Sequence, residues 1–413
     1  MVHRVAIIGA GLAGSLAALE LARREIPSKV FERNERVLSE ASLFNEGKIH
    51  LGFLYAKDQS LKTSQLMVEG ATHFRGIIDE LTGFDVAEAL STPFWYGVHR
   101  DSLVTPKAFE AHLKRCTDEF SRSMQATPSS AGYVNRSRAL GFELLSTAQW
   151  SDDLSPEFFS AVFRTDEYGV DPRILAREVE RALRESPFIE LHTGVSVERV
   201  NSLSSGGWLL HDSQGSDIGA GRFDVVLNST WSDLLRLDSQ VGIPLPEDWS
   251  YRYKLGNRVS RAVSVGELNS VTVVLGAFGD IVNYGRDGGI FVSWYPTGRL
   301  LMTDDVSLPD WNSPVFENQR RDAYEKSRVT WETMSAKLRA LNIAESEVDT
   351  RGGMILATGR LDVDDPASPL HSRVRIGISQ RDSYFSLNTG KYTLAPLMAV
   401  RAAGTIQNYL SGL

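Results

Sequence analysis

The chain has 413 residues, of which 42% are hydrophobic, and a formal charge of −8. That length allows two or three globular domains with ample core, and an acidic balance without any run of Lys and Arg excludes a nucleic-acid-binding protein. Cys116 is the only cysteine, so no internal disulfide can form and a reducing, cytoplasmic setting is expected.

Residues Val5 to Ile8 read as an apolar strand, followed by the turn Gly9-Ala10-Gly11-Leu12-Ala13-Gly14, an alanine- and leucine-rich helix, and a second strand ending at Glu32. Each part has a task on a dinucleotide. Gly9 permits the tight turn, Gly11 lets the backbone approach a pyrophosphate, Gly14 lets helix and strand pack closely, and the helix N-terminus faces the phosphates. Glu32 lies eighteen residues beyond Gly14, where a carboxylate can accept hydrogen bonds from a ribose. The apolar run from Val5 to Ala22 has the look of a signal peptide, but glycines at this spacing argue for the nucleotide turn instead. No other stretch approaches the roughly 20 apolar residues that span a bilayer, so no transmembrane segment is expected.

Residues Arg33 to Lys62 are polar and loop-like, where a plain nucleotide fold would continue with alternating strands and helices. Phe94 to Val98 reads as a short strand, Pro106 to Phe120 as a helix, and Ser121 to Ala131 as a surface loop. Asp171 and Pro172 are cap and first residue of a helix reaching about Arg184. A strand pair is expected over Ile189 to Val200, and a buried strand over Phe223 to Asn228. Alternation from Trp249 to Leu301, clearest at Val271 to Leu275 and Ile290 to Tyr295, predicts an antiparallel sheet. Asn318 to Leu341 reads as one long helix.

Near the C-terminus, Val374 to Ile378 reads as a strand, and a polar turn leads to Asn388-Thr389-Gly390-Lys391-Tyr392-Thr393, where a final helix begins with Leu394, Leu397, Met398, Ala402 and Ile406 on one face. Free N–H groups at such a helix start suit the negative charge of a reduced flavin. Gly390-Lys391 is not a phosphate loop, because Phe385 stands where that motif needs glycine and Tyr392 where it needs Ser or Thr.

With these pieces in place, the chain resembles the FAD-dependent D-amino acid oxidase superfamily, which includes glycine and sarcosine oxidases, glycerol-3-phosphate dehydrogenases and L-2-hydroxyglutarate oxidases. The resemblance rests on the first fingerprint with Glu32, on Asn45-Glu46-Gly47-Lys48-Ile49-His50-Leu51-Gly52-Phe53-Leu54-Tyr55, on Gly169-Val170-Asp171-Pro172, and on Thr389 to Pro396. The second run looks most like the hydroxyglutarate oxidase branch. The family implies FAD as cofactor and an α/β fold, α+β overall, in which a Rossmann-like FAD-binding domain (residues 1–85, 168–235 and 350–413) is interleaved with an antiparallel-sheet substrate domain (86–167 and 236–349). It implies cofactor contacts from Gly9, Gly11, Leu12, Ala13, Gly14, Glu32 and Arg33, from Val197 beside the adenine, from Gly47, Lys48, Ile49 and His50 along the isoalloxazine, and from Gly390, Lys391, Tyr392 and Thr393 at its pyrimidine edge. There is one departure. Relatives usually place Ala-Thr-Gly or Ala-Gly after the buried strand, and this chain has Ser229-Thr230-Trp231-Ser232, which puts the contacts of that loop in question.

Such a flavoprotein moves a hydride from a substrate carbon to the flavin, and an alcohol substrate also needs its hydroxyl proton removed. His50 is the expected base, by its ordinary pKa near 6.5; a structural hydrogen bond and covalent flavin attachment are its other readings. Arg381 and Tyr295 are the first candidates to hold a substrate carboxylate, with Tyr55 and Lys57 as further candidates. The expected activity is oxidation of a C–N or C–O bond of a small carboxylate-bearing amine, amino acid or 2-hydroxy acid, with oxygen or another acceptor regenerating the flavin. The alternatives are an NAD(P)H-consuming flavin monooxygenase or halogenase, and a nucleotide-binding protein without turnover. The eight histidines form no His-x-x-x-His pair, so no metal site is expected, and there is no Gly-x-Ser-x-Gly elbow. Gly279-Asp280 reads as part of a hairpin.

Overall fold

The computed structural model describes residues 4–127, 132–264, 266–276, 278–285, 288–361 and 376–412. Strand Val5–Ile8 is buried throughout and lies near the middle of a six-stranded sheet, parallel to Ser28–Glu32 on one side and Val225–Asn228 on the other. Ile189–Thr193 and Tyr384–Asn388 extend the two flanks in parallel, and Gly377–Arg381 returns antiparallel at the edge. A parallel sheet needs cover on both faces. Alternation along the first strand provides it: Val5 and Ile7 join a helical core with Leu16 and Met398, while Ala6 and Ile8 join Trp208 and Leu210 of the meander Arg199–Ser202, Trp208–His211, Asp217–Phe223.

An eight-stranded sheet is built from Phe94–His99, Phe142–Leu144, Phe159–Thr165 and five strands between Asn257 and Asp349. Its pairings are antiparallel except for Ser270–Val274 against Phe94–His99. A separate antiparallel sheet sets Trp249–Leu255 between Arg299–Thr303 and Gly352–Thr358. Strands of the six-stranded sheet thus come from three separated stretches, and the antiparallel strands fill the intervals, which is the mixed α/β architecture expected from the sequence.

Several elements differ from expectation. Helix Pro106–Ala126 runs past Phe120 into the expected loop, because Phe120 and Met124 continue its buried stripe; residues 128–131 lie outside the described residues. The long helix is two: Glu317–Met334 ends where Ser335 turns extended and its side chain accepts from Leu338 N–H at 3.2 Å, capping Ala336–Ala340. Ile189–Thr193 and Arg199–Ser202 belong to different sheets rather than pairing. Helix Lys62–Thr82 has no counterpart among the sequence expectations, although Met67, Ala71, Phe74 and Ile78 recur at helical spacing. The late strand starts at Gly377, and Val374 and Arg375 of the expected one lie outside the described residues. The final helix is Ala395–Ser411, so Gly390 to Thr393 form the turn before it. Gly279 and Asp280 open the second arm of a hairpin with Ser270–Val274.

Candidate active site

A long cleft runs along the C-terminal ends of the parallel strands, the usual place for a dinucleotide in an open α/β sheet. At one end its wall is backbone. Gly9 holds φ +91 and a Cβ there would lie 2.8 Å from Thr230 Cα; on Gly14 it would lie 2.1 Å from Gly9 O, so Gly14 serves helix packing and does not line the cleft. Helix Leu12–Arg23 opens at Gly11 without a capping side chain, while Ser42 Oγ accepts from Leu12 N–H at 3.0 Å. Glu32 accepts from Ala10 N–H at 2.8 Å and from Asn34 N–H at 3.0 Å, which fixes its carboxylate at the cleft wall with lone pairs remaining for hydroxyls. Arg33 lies at the mouth, ion-paired with Asp233 at 3.0 Å, and Val197 lines the same end. Open helix N–H groups, glycines that admit a close approach and a pinned acidic residue fit a pyrophosphate and ribose.

The other end is built from side chains. Lys48 is fully buried, with Nζ 2.6 Å from Asp280 Oδ1, touching Thr272 Oγ1, and 4.2 Å from the centre of the Phe94 ring. Lys254 Nζ is 4.0 Å from the other Asp280 oxygen. Burial pushes the Glu46 carboxyl up, but the ammonium groups of Lys254, Lys391 and Lys48 outweigh that and hold it down at about 2. His50 lines the cleft with Nε2 3.8 Å from Glu46 Oε1.

The His50 segment is fastened from every side. Thr393 Oγ1 accepts from His50 N–H at 2.9 Å and donates to Lys48 O at 3.2 Å, which joins the C-terminal turn to it. Ile49 N–H donates to Tyr168 O at 3.0 Å, and Ile49 O accepts from Tyr133 OH at 2.5 Å. Leu51 N–H donates to Glu167 Oε2 at 2.6 Å, and Tyr96 OH holds the other oxygen. Burial pushes the Glu167 carboxyl up to about 7 despite nearby Lys48. Gly47, at φ +59, lies against Val170 O, where a Cβ would come within 2.1 Å.

Of the residues expected at the cofactor, Gly9, Gly11, Leu12, Ala13, Glu32, Arg33, Lys48, His50, Val197, Gly390, Lys391 and Tyr392 line the cleft. Gly14, Gly47, Ile49 and Thr393 support it from behind. The carboxylate candidates fare differently. Arg381 is exposed at the turn end of the hairpin, opposite Tyr384, whereas the cleft lies at the Asn388 end of the same strand; its guanidinium lies over Gly242. Tyr295 is buried off the cleft and accepts from Arg252 Nη1 at 3.0 Å. Tyr55 lies behind His50, their rings 6.3 Å apart, and Lys57 does not line the cleft. Lys254, Asp280 and Glu167 are the site residues that sequence patterns do not single out. Their one signal is a charge inside a run of otherwise buried strand or strand-end residues.

Trp231, the departure noted in the sequence, also lines the cleft, and it does so in the left-handed region at φ +58. Among the described residues no group of three or more His, Cys, Asp or Glu is placed to hold a metal, and no helix is long and apolar enough to cross a membrane.

A backbone-built end suited to phosphates, joined to a buried charged end, is the layout of a dinucleotide-binding site with a reaction pocket beside it. The sequence model of the FAD dependent oxidoreductase family, DAO, matches residues 4–354, so the chain belongs to that family and its cofactor is FAD. Among solved structures it is similar to glycine oxidase from Geobacillus kaustophilus (17% identity, 98% of this chain and 95% of that one, TM-score 0.64). Iminodiacetate oxidase from Chelativorans sp. BNC1 is similar at 16% identity (99% and 95%, TM-score 0.62). L-alpha-glycerophosphate oxidase from Mycoplasma pneumoniae, solved with FAD bound, is similar at 15% (98% and 94%, TM-score 0.61). No curated protein matches by sequence. At these identities the structures establish the fold.

Proposed function

We propose that this FAD-dependent oxidoreductase oxidises a C–N or C–O bond of a small carboxylate-bearing substrate: an amino acid, an amine or a 2-hydroxy acid. The observation that supports it is the charge balance at the His50 end. Lys48, Lys254 and Lys391 gather around Glu46 in the cleft lining, with Asp280 and Glu167 behind Lys48, so three ammonium groups face one lining carboxylate there, a setting suited to an anionic substrate group. Lys48 is committed to Asp280, and in this proposal Lys254 and Lys391, which line the cleft, take the carboxylate.

Bound FAD supplies the hydride acceptor. In this proposal His50, which lines the cleft with Nε2 3.8 Å from Glu46 Oε1, takes the hydroxyl proton of an alcohol substrate. An amine entering in its neutral form needs no such base. Thr393, Tyr133 and Glu167 fix the backbone that carries His50, so the imidazole is presented at one depth. The division into FAD-binding and substrate domains at the boundaries given above, oxygen as acceptor, and a cytoplasmic location suited to a chain with one cysteine belong to the same proposal.

Anaerobic mixing of the holoenzyme with amino acids, amines and 2-hydroxy acids, each beside its uncharged amide, tests this. At least one carboxylate should bleach the flavin while its amide does not. Bleaching by NADPH with no organic substrate, or equal rates for acid and amide, would overturn it.

A further inference from the structure

The Trp231 loop packs directly on the dinucleotide turn. Ser229 Oγ lies 2.9 Å from both Ile8 O and Gly9 O, able to donate to either, and Thr230 Cα closes on Gly9. Trp231 follows at φ +58, where a residue with a Cβ is strained and glycine is not. Such a conformation persists only where the surroundings impose it. Here they do: the indole Nε1 donates to Met354 O at 2.7 Å, on strand Gly352–Thr358, and Trp231 O accepts from Tyr251 OH at 3.2 Å, on Trp249–Leu255. The ring packs against the apolar cluster of Leu234, Leu235, Tyr251 and Met354.

Trp231 therefore links the end of the six-stranded sheet to the sheet of Trp249–Leu255 and Gly352–Thr358, and the part of it that stays exposed lines the cleft along with Thr230 and Met354. A turn alone would not call for this residue, since glycine or asparagine makes it without strain. We propose that Trp231 is a clasp that closes the dinucleotide cleft beside the Gly9 turn and retains FAD. Binding would bury the remaining indole surface, so the strain in the protein is offset by contact in the complex. This inference concerns the cofactor and stands apart from the substrate assignment.

The test compares the full-length protein with W231G and W231F. FAD release is followed by recovery of free-flavin fluorescence after dilution, and the thermal midpoint of the deflavinated protein is measured alongside. W231G should weaken FAD binding by about tenfold or more, through a faster release. Its deflavinated midpoint reports separately what the lost indole packing and N–H bond cost the fold, partly offset by relief of the positive φ. W231F keeps the ring and loses the N–H bond, so its release should quicken by about two- to fivefold. FAD affinity of W231G within twofold of the parent, measured at a temperature where both proteins are folded, would overturn the clasp. Should W231G fail to fold, W231F decides: release at the parent rate refutes it.

Discussion

The two ends of the cleft solve opposite problems with opposite materials. At the Gly9 end the work is done by main chain, and side chains matter mostly by being absent, as at Gly9 and Gly14. At the His50 end the main chain is only a mount, and charge is concentrated in Lys48, Asp280, Glu46 and Lys254. Backbone donors bind a phosphate in any chain that makes the turn, which is why that end is common to many dinucleotide folds. A buried charge network discriminates between substrates, and it carries a cost whenever one member is missing.

That contrast sets the size of the expected effects. The largest belongs to the buried pair: Asp280→Ala leaves the Lys48 ammonium buried without its carboxylate and should lower stability by about 3–5 kcal/mol, read from the urea midpoint. The double replacement Lys48→Met with Asp280→Ala should recover much of that loss; no recovery would show that the ion pair is not the source. Next comes His50→Ala, which should slow flavin reduction by an alcohol substrate by about a hundredfold or more with little change in substrate affinity. Rates equal to the parent would remove His50 from proton transfer. At the backbone end, Gly14→Ala places a Cβ against Gly9 O and should cost about 1–3 kcal/mol, seen as a lower melting temperature and weaker FAD uptake.

The last effect is a pH dependence. Glu167 has its carboxyl raised by burial to about 7, above its ordinary value of 4.5, so the folded protein holds this proton more tightly than the unfolded chain. The contribution is full below about pH 4.5 and is lost as pH rises through 7. Glu167→Gln should flatten the stability profile across that window, and an unchanged slope would place the titration elsewhere. Because Glu167 anchors Leu51 N–H, the same substitution should leave His50 in place only if glutamine keeps that bond.

How much of this is legible in the sequence follows from distance along the chain. Gly9, Gly11, Gly14 and Glu32 fall within one strand-turn-helix-strand unit, where spacing alone states the geometry, and the structure sets Glu32 against Ala10 N–H. The Asn45 to His50 run and the Gly390 to Thr393 turn are legible as motifs, and Thr393 joins them across 343 residues. Lys48 and Asp280 are 232 residues apart, and nothing in either neighbourhood states that they meet. Arg381 shows the converse limit: its position just before a turn suggested the site, but it lies at the turn end of the hairpin, over Gly242, while the cleft lies at the Asn388 end. Helix Glu317–Met334 keeps its periodicity beyond its end, and only the Ser335 cap reveals the break.

The central claim is that FAD lies along the cleft with its phosphates at the Gly9 turn and its ring between the His50 segment and the Gly390–Thr393 turn. A crystal structure of the FAD-loaded protein tests it most directly. The account requires isoalloxazine density in contact with His50 and with Gly390 to Thr393, and pyrophosphate density at Gly11 and Leu12. Ring density at the Arg33 and Val197 end, or a cleft closed to flavin altogether, would contradict it.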